Sequence, residues 1–303
     1  MAEARPGATT RAECWEANGG AVRRGEDLLA TEEPLEIRLA QPGAAATPLA
    51  VTMRTPGADF ELAAGFIFNE GVVGSFEQLR SIRYCSGPGV EEQQRYNIVT
   101  AQLSGPAPSD LRRLERHLFV SSACGVCGKA TLEGLRSLGY EHPSEGPFLL
   151  AEVLASLPAR LREAQRLFES TGGLHAAAAF DARGELVALR EDVGRHNAMD
   201  KLAGWALLAG RLPLSDHVLV VSGRSSFELV QKSLRMGAGV LCSVSAPSSL
   251  SVSLSNEFGL TLIGWLRDGR FKIYSCPQRV LGASGPALGA RVASSDERLA
   301  GDA

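Results

Sequence analysis

The sequence predicts an α/β protein in which a sheet-building second half is preceded by a smaller α+β unit. Between about residues 161 and 274, short apolar strands alternate with segments of helical period, the pattern of a layered sheet domain. Between residues 34 and 103, period-2 strands flank one helical stretch. Polar loops rich in Gly, Ser and Arg follow several strands of the second half, which is where ligands of such sheets collect.

In chain order, residues 1–30 lack periodicity and read as a mobile tail, as do residues 281–303. A small α+β domain is assigned to residues 31–115 and the larger α/β domain, with its Cys-x-x-Cys loop, to residues 116–280. Leu35, Ile37 and Leu39 alternate with polar residues as a strand, and Val51 and Met53 mark its hairpin partner. Asp59 is placed as the cap of a helix that carries Phe60, Ala63, Phe66 and Ile67 on one face and stops near Gly71. Tyr96, Ile98 and Thr100 give another strand.

Farther on, Leu161, Ala164 and Phe168 mark a helix with Pro158 in its first turn. His175–Phe180 and Glu185–Leu189 read as a hairpin turning at Asp181–Gly184. A helix through Leu202, Trp205 and Ala209 follows Asn197, and a short buried strand runs from His217 to Val221. Ser225-Ser226-Phe227-Glu228 has the spacing of a capping box opening the next helix. Strand, helix, strand and strand then occupy 239–244, 250–258, 260–265 and 270–274, and the alternation predicts a mostly parallel sheet covered on both faces.

With 31 basic and 34 acidic residues interspersed and a net charge of -3, the chain has no polybasic footprint, which argues against nucleic acid as a partner. No apolar run reaches the roughly 18 residues of a membrane span, and residues 1–25 have no signal-like apolar core, so the expectation is a cytoplasmic protein. Of six cysteines (14, 85, 124, 127, 242 and 276), only Cys124 and Cys127 are close in sequence. The other four are expected to be reduced, with Cys242 buried in an apolar strand.

The sharpest chemical signal is Ser-Ser-Ala-Cys124-Gly-Val-Cys127-Gly-Lys129. Its glycines permit an accessible loop, and Leu132, Leu135 and Leu138 imply that the loop feeds a helix. A helix start and the Lys129 cation both favour thiolate over thiol, and thiolate is the nucleophile. Three chemistries share this spacing: half of a zinc site, a redox pair and other thiol chemistry. A second ligand pair at zinc spacing is missing, and an early βαβ context for a redox pair is also missing. Spacing alone leaves the choice open.

Arg190-Glu-Asp-Val-Gly-Arg195-His196-Asn197 lies between a strand and a helix. It is either a solvated loop with Asn197 as cap, or a site where Arg195, His196 and Asn197 meet an anionic or heterocyclic ligand. Ser222-Gly-Arg224-Ser225-Ser226 is similarly placed and suits a phosphate, with Arg224 as a charged fork. The serines of residues 245–249 are explained equally by capping. Trp265-Leu266-Arg267-Asp268-Gly269-Arg270 is either a plain hairpin turn or a stacking aromatic with two arginines for a nucleotide. His175, taken alone, reads as a structural histidine.

Together, TPGADFELAAGF (55–66), SSACGVCGKA (121–130), TGGLHAAA (171–178), REDVGRHNAMDK (190–201), VSGRSSFELVQK (221–232), SAPSSL (245–250) and GLTLIGWLRDGRFKIYS (259–275) resemble the FdhD family of formate dehydrogenase accessory sulfurtransferases. The resemblance runs from about Glu33 to Arg279, and the ordered series is far more specific than one Cys-x-x-Cys. It implies transfer of persulfide sulfur from a cysteine desulfurase to a molybdenum cofactor carrying two molybdopterin guanine dinucleotides, which then serves formate dehydrogenase. Cys124 would carry the persulfide, Cys127 would assist, and residues 265–270 would match the cofactor-binding stretch. The resemblance also implies a three-layer, cytidine-deaminase-like sheet domain and a homodimer, with no intrinsic metal, since the deaminase His-x-Glu zinc signature has no counterpart here. Met199 and Trp265 replace other apolar residues of the family pattern. A protein that only binds and inserts the cofactor is the alternative reading.

Overall fold

A computed structural model of the chain describes residues 7–85, 96–107, 142–143 and 145–282. Within these, strands β1 (Thr9–Asn18) and β2 (Ala21–Ala30) pair antiparallel as a two-stranded ribbon. The expected N-terminal tail is therefore structured from residue 9 onward. Its strands lack a period because neither face is buried, and cross-strand pairs such as Arg23–Glu16 and Arg11–Glu26 line it instead. The expected tail over 281–303 lies outside the described residues beyond Gly282.

The small unit is a four-stranded sheet of order β4-β3-β6-β5, built from β3 (Glu33–Ala40), β4 (Thr47–Arg54), β5 (Leu79–Tyr84) and β6 (Ile98–Leu103). Leu35, Ile37 and Leu39 point inward as their alternation predicts. Helix α1 (Asp59–Asn69) packs on this sheet. Its N-cap is Ala58, in the left-handed region at φ 53°, rather than Asp59. Asp59 is instead 1% exposed, and its carboxylate receives Arg54 Nε and Nη2 at 3.2 Å each and Tyr84 Oη at 2.9 Å. The helix buries Leu62, Ala63, Ala64 and Ile67, while Phe60 stays 37% exposed.

The large sheet has six strands in the order β13-β12-β11-β10-β8-β9. These are β8 (His175–Phe180), β9 (Leu186–Asp192), β10 (Val218–Val221), β11 (Val240–Ser243), β12 (Thr261–Arg267) and β13 (Arg270–Ile273). Only β10–β11 and β11–β12 are parallel, so the sheet is mixed rather than mostly parallel. The two terminal hairpins, whose short turns reverse the chain without a crossover helix, account for the difference.

Both faces are covered. Ala176, Ala178, Phe180, Val218, Val220, Cys242 and Ile263 meet Leu154, Leu157 and Leu161 of helix α2 (Ala151–Ala164), beside the short pair β7 (Leu149–Leu150) and β14 (Val280–Leu281). Pro158 lies in the middle of α2 rather than in its first turn. The chain breaks at Gln165 before a second short helix, α3 (Arg166–Thr171). The opposite face, through Ala177, Ala179, Leu219, Val221 and Leu241, joins the core shared with α4 (Arg195–Leu208), α5 (Phe227–Arg235), α6 (Ser249–Glu257) and the small unit. Three layers result. No helix among the described residues is long and apolar enough to cross a membrane.

The two sheets share one core because α1 crosses α4 at a pair of glycines. A Cβ on Gly65 would sit 1.8 Å from the Asp200 carbonyl oxygen, and one on Gly204 would sit 1.8 Å from that of Glu61. No side chain can yield there, since the obstacle is backbone. Gly65→Ala or Gly204→Ala is expected to destabilise the protein by at least about 1–3 kcal/mol, read as a drop in urea midpoint. An unchanged midpoint in both variants would refute the tight crossing.

Candidate functional site

The loops that follow β9, β10, β11 and β12 all emerge at one edge of the large sheet, and β8 begins there. His175 opens β8 and pairs in register with Asp192, the last residue of β9. Asp192 is fully buried. It takes Lys201 Nζ at 2.7 Å, the Thr55 N–H at 3.2 Å and the Gly194 N–H at 2.9 Å. Lys201 also donates to the Thr55 carbonyl at 2.9 Å, so this ion pair bolts the end of β4 to the start of α4. That fixes where Arg195 and His196, the first two residues of α4, project.

Gly223, after β10, lies against them: a Cβ there would be 3.4 Å from His175 Nδ1 and 3.6 Å from Arg195 Cδ. Ser222 Oγ accepts the Ala176 N–H at 2.9 Å and stands 3.5 Å from His175 Nδ1. Arg195 feels burial first and the Arg224 charge second, and both pull its pKa down. Its Nε is buried with no hydrogen-bond partner among the described residues. Two guanidiniums close enough to repel, with a donor left over, suit an anionic ligand.

His196 Nε2 lies 3.2 Å from Ser226 Oγ and 3.6 Å from Glu228 Oε2. Burial drives its pKa down to about 4, against the opposing pull of Glu228, so the ring is neutral at neutral pH. The cluster is not a hydrolytic triad. Such a triad divides hydroxyl and carboxylate between the two ring nitrogens, and here both sit on Nε2. Glu228 in turn holds Lys232 at 3.1 Å, Lys232 holds Asp200 at 2.6 Å, and Asn69 Nδ2 donates to Asp200 at 2.7 Å.

The other loops join this rim. Ser225 Oγ meets Ser243 Oγ at 2.9 Å, Ser225 bridges to Pro247, and the Trp265 N–H donates to the Ser245 carbonyl at 3.0 Å. Trp265 is held at φ 56°, in a register shift between Gly264 and Arg267. A bulky residue there is a genuine outlier, and such outliers concentrate at ligand sites. Arg267 lies 4.9 Å and Lys272 5.9 Å from the Trp265 ring centroid. Asp268 and Gly269 make the two-residue turn with φ of 53° and 69°, and Arg270 is exposed beside it.

Three residues expected to touch a ligand are spent on the fold. Leu266 is fully buried in the core between sheet and α2, and Ser225 is fully buried against Ser243. Asn197 is inside α4 rather than capping it, and its amide is consumed by the Met53 carbonyl at 2.7 Å, Asp192 at 3.2 Å and Thr52 at 3.2 Å. The capping box at 225–228 does not form: Ser226 is the N-cap but its hydroxyl makes no capping bond to the helix backbone, and Glu228 turns to His196 and Lys232. Ser248, by contrast, caps α6 by accepting the Ser251 N–H. His175 was read as structural and Glu228 as part of a capping box, so neither was assigned to the site. The Glu228–Lys232 spacing, which fits a helical ion pair, could have signalled Glu228.

Cys124 and Cys127 lie outside the described residues. Cys14, Cys85, Cys242 and Cys276 are free thiols, and burial in β11 pushes the Cys242 thiol far up. No group of three or more His, Cys, Asp or Glu that could hold a metal occurs among the described residues.

With this geometry in view, the FdhD/NarQ family model matches residues 30–281. The chain belongs to the FdhD/NarQ family. Among its curated relatives, the sulfur carrier protein FdhD of Streptomyces avermitilis is 52% identical over 264 residues, covering 86% of this chain and 92% of that one. The protein of the same name from Mycolicibacterium paratuberculosis is 50% identical, covering 86% and 94%. A crystal structure of a formate dehydrogenase accessory protein from Desulfotalea psychrophila superposes with a TM-score of 0.69 at 23% identity, over 90% of this chain and all of that one, a likeness of fold. In this FdhD/NarQ chain the matched span therefore takes in both sheets and every strand-end loop described above.

The depressed His196 has a consequence for stability. Its folded pKa of about 4 lies below its ordinary 6.5, so between these values the unfolded chain binds a proton that the folded one does not. The stabilisation is full above pH 6.5 and is lost as pH falls toward 4, by roughly 3 kcal/mol. His196→Gln should flatten that part of the stability–pH curve, measured by urea unfolding. An unaltered slope would mean that the ring is not held neutral.

Proposed function

We propose that this protein is a cytoplasmic sulfur carrier that takes persulfide sulfur from a cysteine desulfurase on Cys124. It delivers that sulfur to the molybdenum bis(molybdopterin guanine dinucleotide) cofactor destined for formate dehydrogenase. The observation that carries the reading is family membership across both sheets, with relatives named as sulfur carriers. The Cys124 thiolate attacks the outer sulfur of the donor persulfide, the donor S–S bond breaks, and the donor leaves as a thiolate. Attack by Cys127 on Cys124 Sγ would then release the outer sulfur as hydrosulfide and close a Cys124–Cys127 disulfide, which a thiol reductant reopens. A reducing cytoplasm suits this cycle.

The cofactor is the acceptor substrate, and the strand-end rim supplies what its nucleotide ends require. Trp265 offers a ring face already flanked by the Arg267 and Lys272 cations, with Arg270 beside it. Arg195, with its unpartnered Nε, and the exposed Arg224 supply charge for phosphate, and His196 and the exposed backbone of Asp268–Gly269 complete the rim. A second copy of the chain completes the proposed partner set.

Incubation with a cysteine desulfurase and cysteine should add 32 Da to the Cys124 peptide, about one sulfur atom. Cys124→Ala should bind guanine nucleotide yet fail to activate formate dehydrogenase. Full activation by that variant would show a cofactor-inserting protein instead. Arg267→Ala and Arg270→Ala should each weaken GDP binding by roughly 1.5–3 kcal/mol in calorimetry, as expected for a lost charged hydrogen bond. Equal affinity in both would place the nucleotide elsewhere.

A further inference from the structure

Glu228 joins the edge of the large sheet to the buried charges behind it. It stands in α5 with one carboxylate oxygen 3.6 Å from His196 Nε2 and the other 3.1 Å from Lys232 Nζ. Lys232 is buried and tied at 2.6 Å to Asp200, which Asn69 of α1 grips at 2.7 Å. Glu228 is thus anchored from behind by a cation that cannot move, and its free oxygen faces the imidazole.

A lone pair on Nε2 would face this carboxylate at a repulsive angle of charge, whereas an N–H there is attracted to it and to Ser226 Oγ at 3.2 Å. The proton of the neutral ring therefore belongs on Nε2. That makes Nδ1 an acceptor, and the polar contacts given for the ring, to Ser226 and Glu228, are both at Nε2. The Arg195 guanidinium and His175, which meet at Gly223, both act on the His196 ring, and Arg224 is exposed nearby and acts on Arg195. An acceptor set among cations gives the rim a means of selecting a ligand that carries a donor beside its anion.

We infer that Glu228 is a positioning residue that fixes the Nε2–H tautomer of His196, so that Nδ1 accepts a hydrogen bond from an N–H or O–H of the bound nucleotide. This rests on the strand-end rim being the nucleotide site. Glu228→Gln separates charge from shape. Its amide oxygen must turn to Lys232, because an NH2 group cannot face an ammonium. The amide NH2 then points at Nε2 and drives the ring proton to Nδ1, which turns an acceptor into a donor.

The test uses the full chain. Nitrogen-15 NMR of the histidine rings, without ligand, should show Nε2–H in the natural protein and Nδ1–H in Glu228→Gln. Calorimetry with GDP should show affinity lowered about tenfold in Glu228→Gln, the scale of one hydrogen bond lost and a donor left opposed. His196→Asn, whose amide oxygen can occupy the place of Nδ1, should bind within about threefold of the natural protein. The same tautomer in both proteins, or unchanged GDP affinity in Glu228→Gln, overturns the assignment. GDP titration of Arg267→Ala and Arg270→Ala, run in parallel, reports whether the rim holds the nucleotide, while the ring spectra decide the role of Glu228 whichever way those titrations fall.

Discussion

Everything in this molecule depends on two helices touching without side chains between them. Where Gly65 of α1 meets Gly204 of α4, the backbones are in van der Waals contact, and that contact lets a four-stranded and a six-stranded sheet share one core. Close approach also has an electrostatic result. Asp200, whose carbonyl oxygen abuts Gly65, has its carboxylate within reach of both Asn69 on α1 and Lys232 on α5. Wider helix spacing would leave these charges either wet or unpaired, and an unpaired buried charge costs several kcal/mol.

The buried ions are best understood as placement devices. Asp192 and Lys201 join the turn at Thr55 to the first turn of α4. Arg54 and Asp59 do the same for the β4–α1 corner, with Tyr84 as a third partner. Replacing such pairs with apolar residues could leave stability similar, but it would remove the directional bonds that set the angle of each loop. Arg195, His196 and Arg224 are held by this wiring at the edge of the large sheet. The strain at Trp265 fits the same logic: its left-handed backbone is held by the Ser245 carbonyl, next to Gly264, which Pro247 and Tyr274 crowd.

Much of the fold was legible because burial imprints period. Leu35, Ile37 and Leu39 announced a strand, and the hairpin at Asp181–Gly184 was readable from its turn residues, whose Asp181 carboxylate accepts the Arg183 and Glu185 N–H groups. The N-terminal ribbon was not legible, because a strand exposed on both faces has no apolar alternation to display. Polar residues were misassigned for one recurring reason. Asp59, Asn197 and Glu228 all stand where a local capping role fits, and each is instead claimed by a partner distant in sequence or on another element. Capping is a short-range pattern, and long-range ion pairing leaves no trace in spacing. The sequence grouped Arg195, Arg224, Arg267 and Arg270 with Leu266 and Ser225 because loops after strands draw polar residues together, and Leu266 and Ser225 are set apart only by their burial.

The three tryptophans occupy three separate settings. Trp15 stands 72% exposed on the ribbon, Trp205 lies between the Arg190 and Arg211 guanidiniums, and Trp265 crowns the β12–β13 turn. Each indole thus carries its own quenching neighbours and hydration, and with Trp15 and Trp205 changed to phenylalanine the remaining emission would come from the rim alone. The protein contains, in effect, its own optical probe of that edge of the sheet.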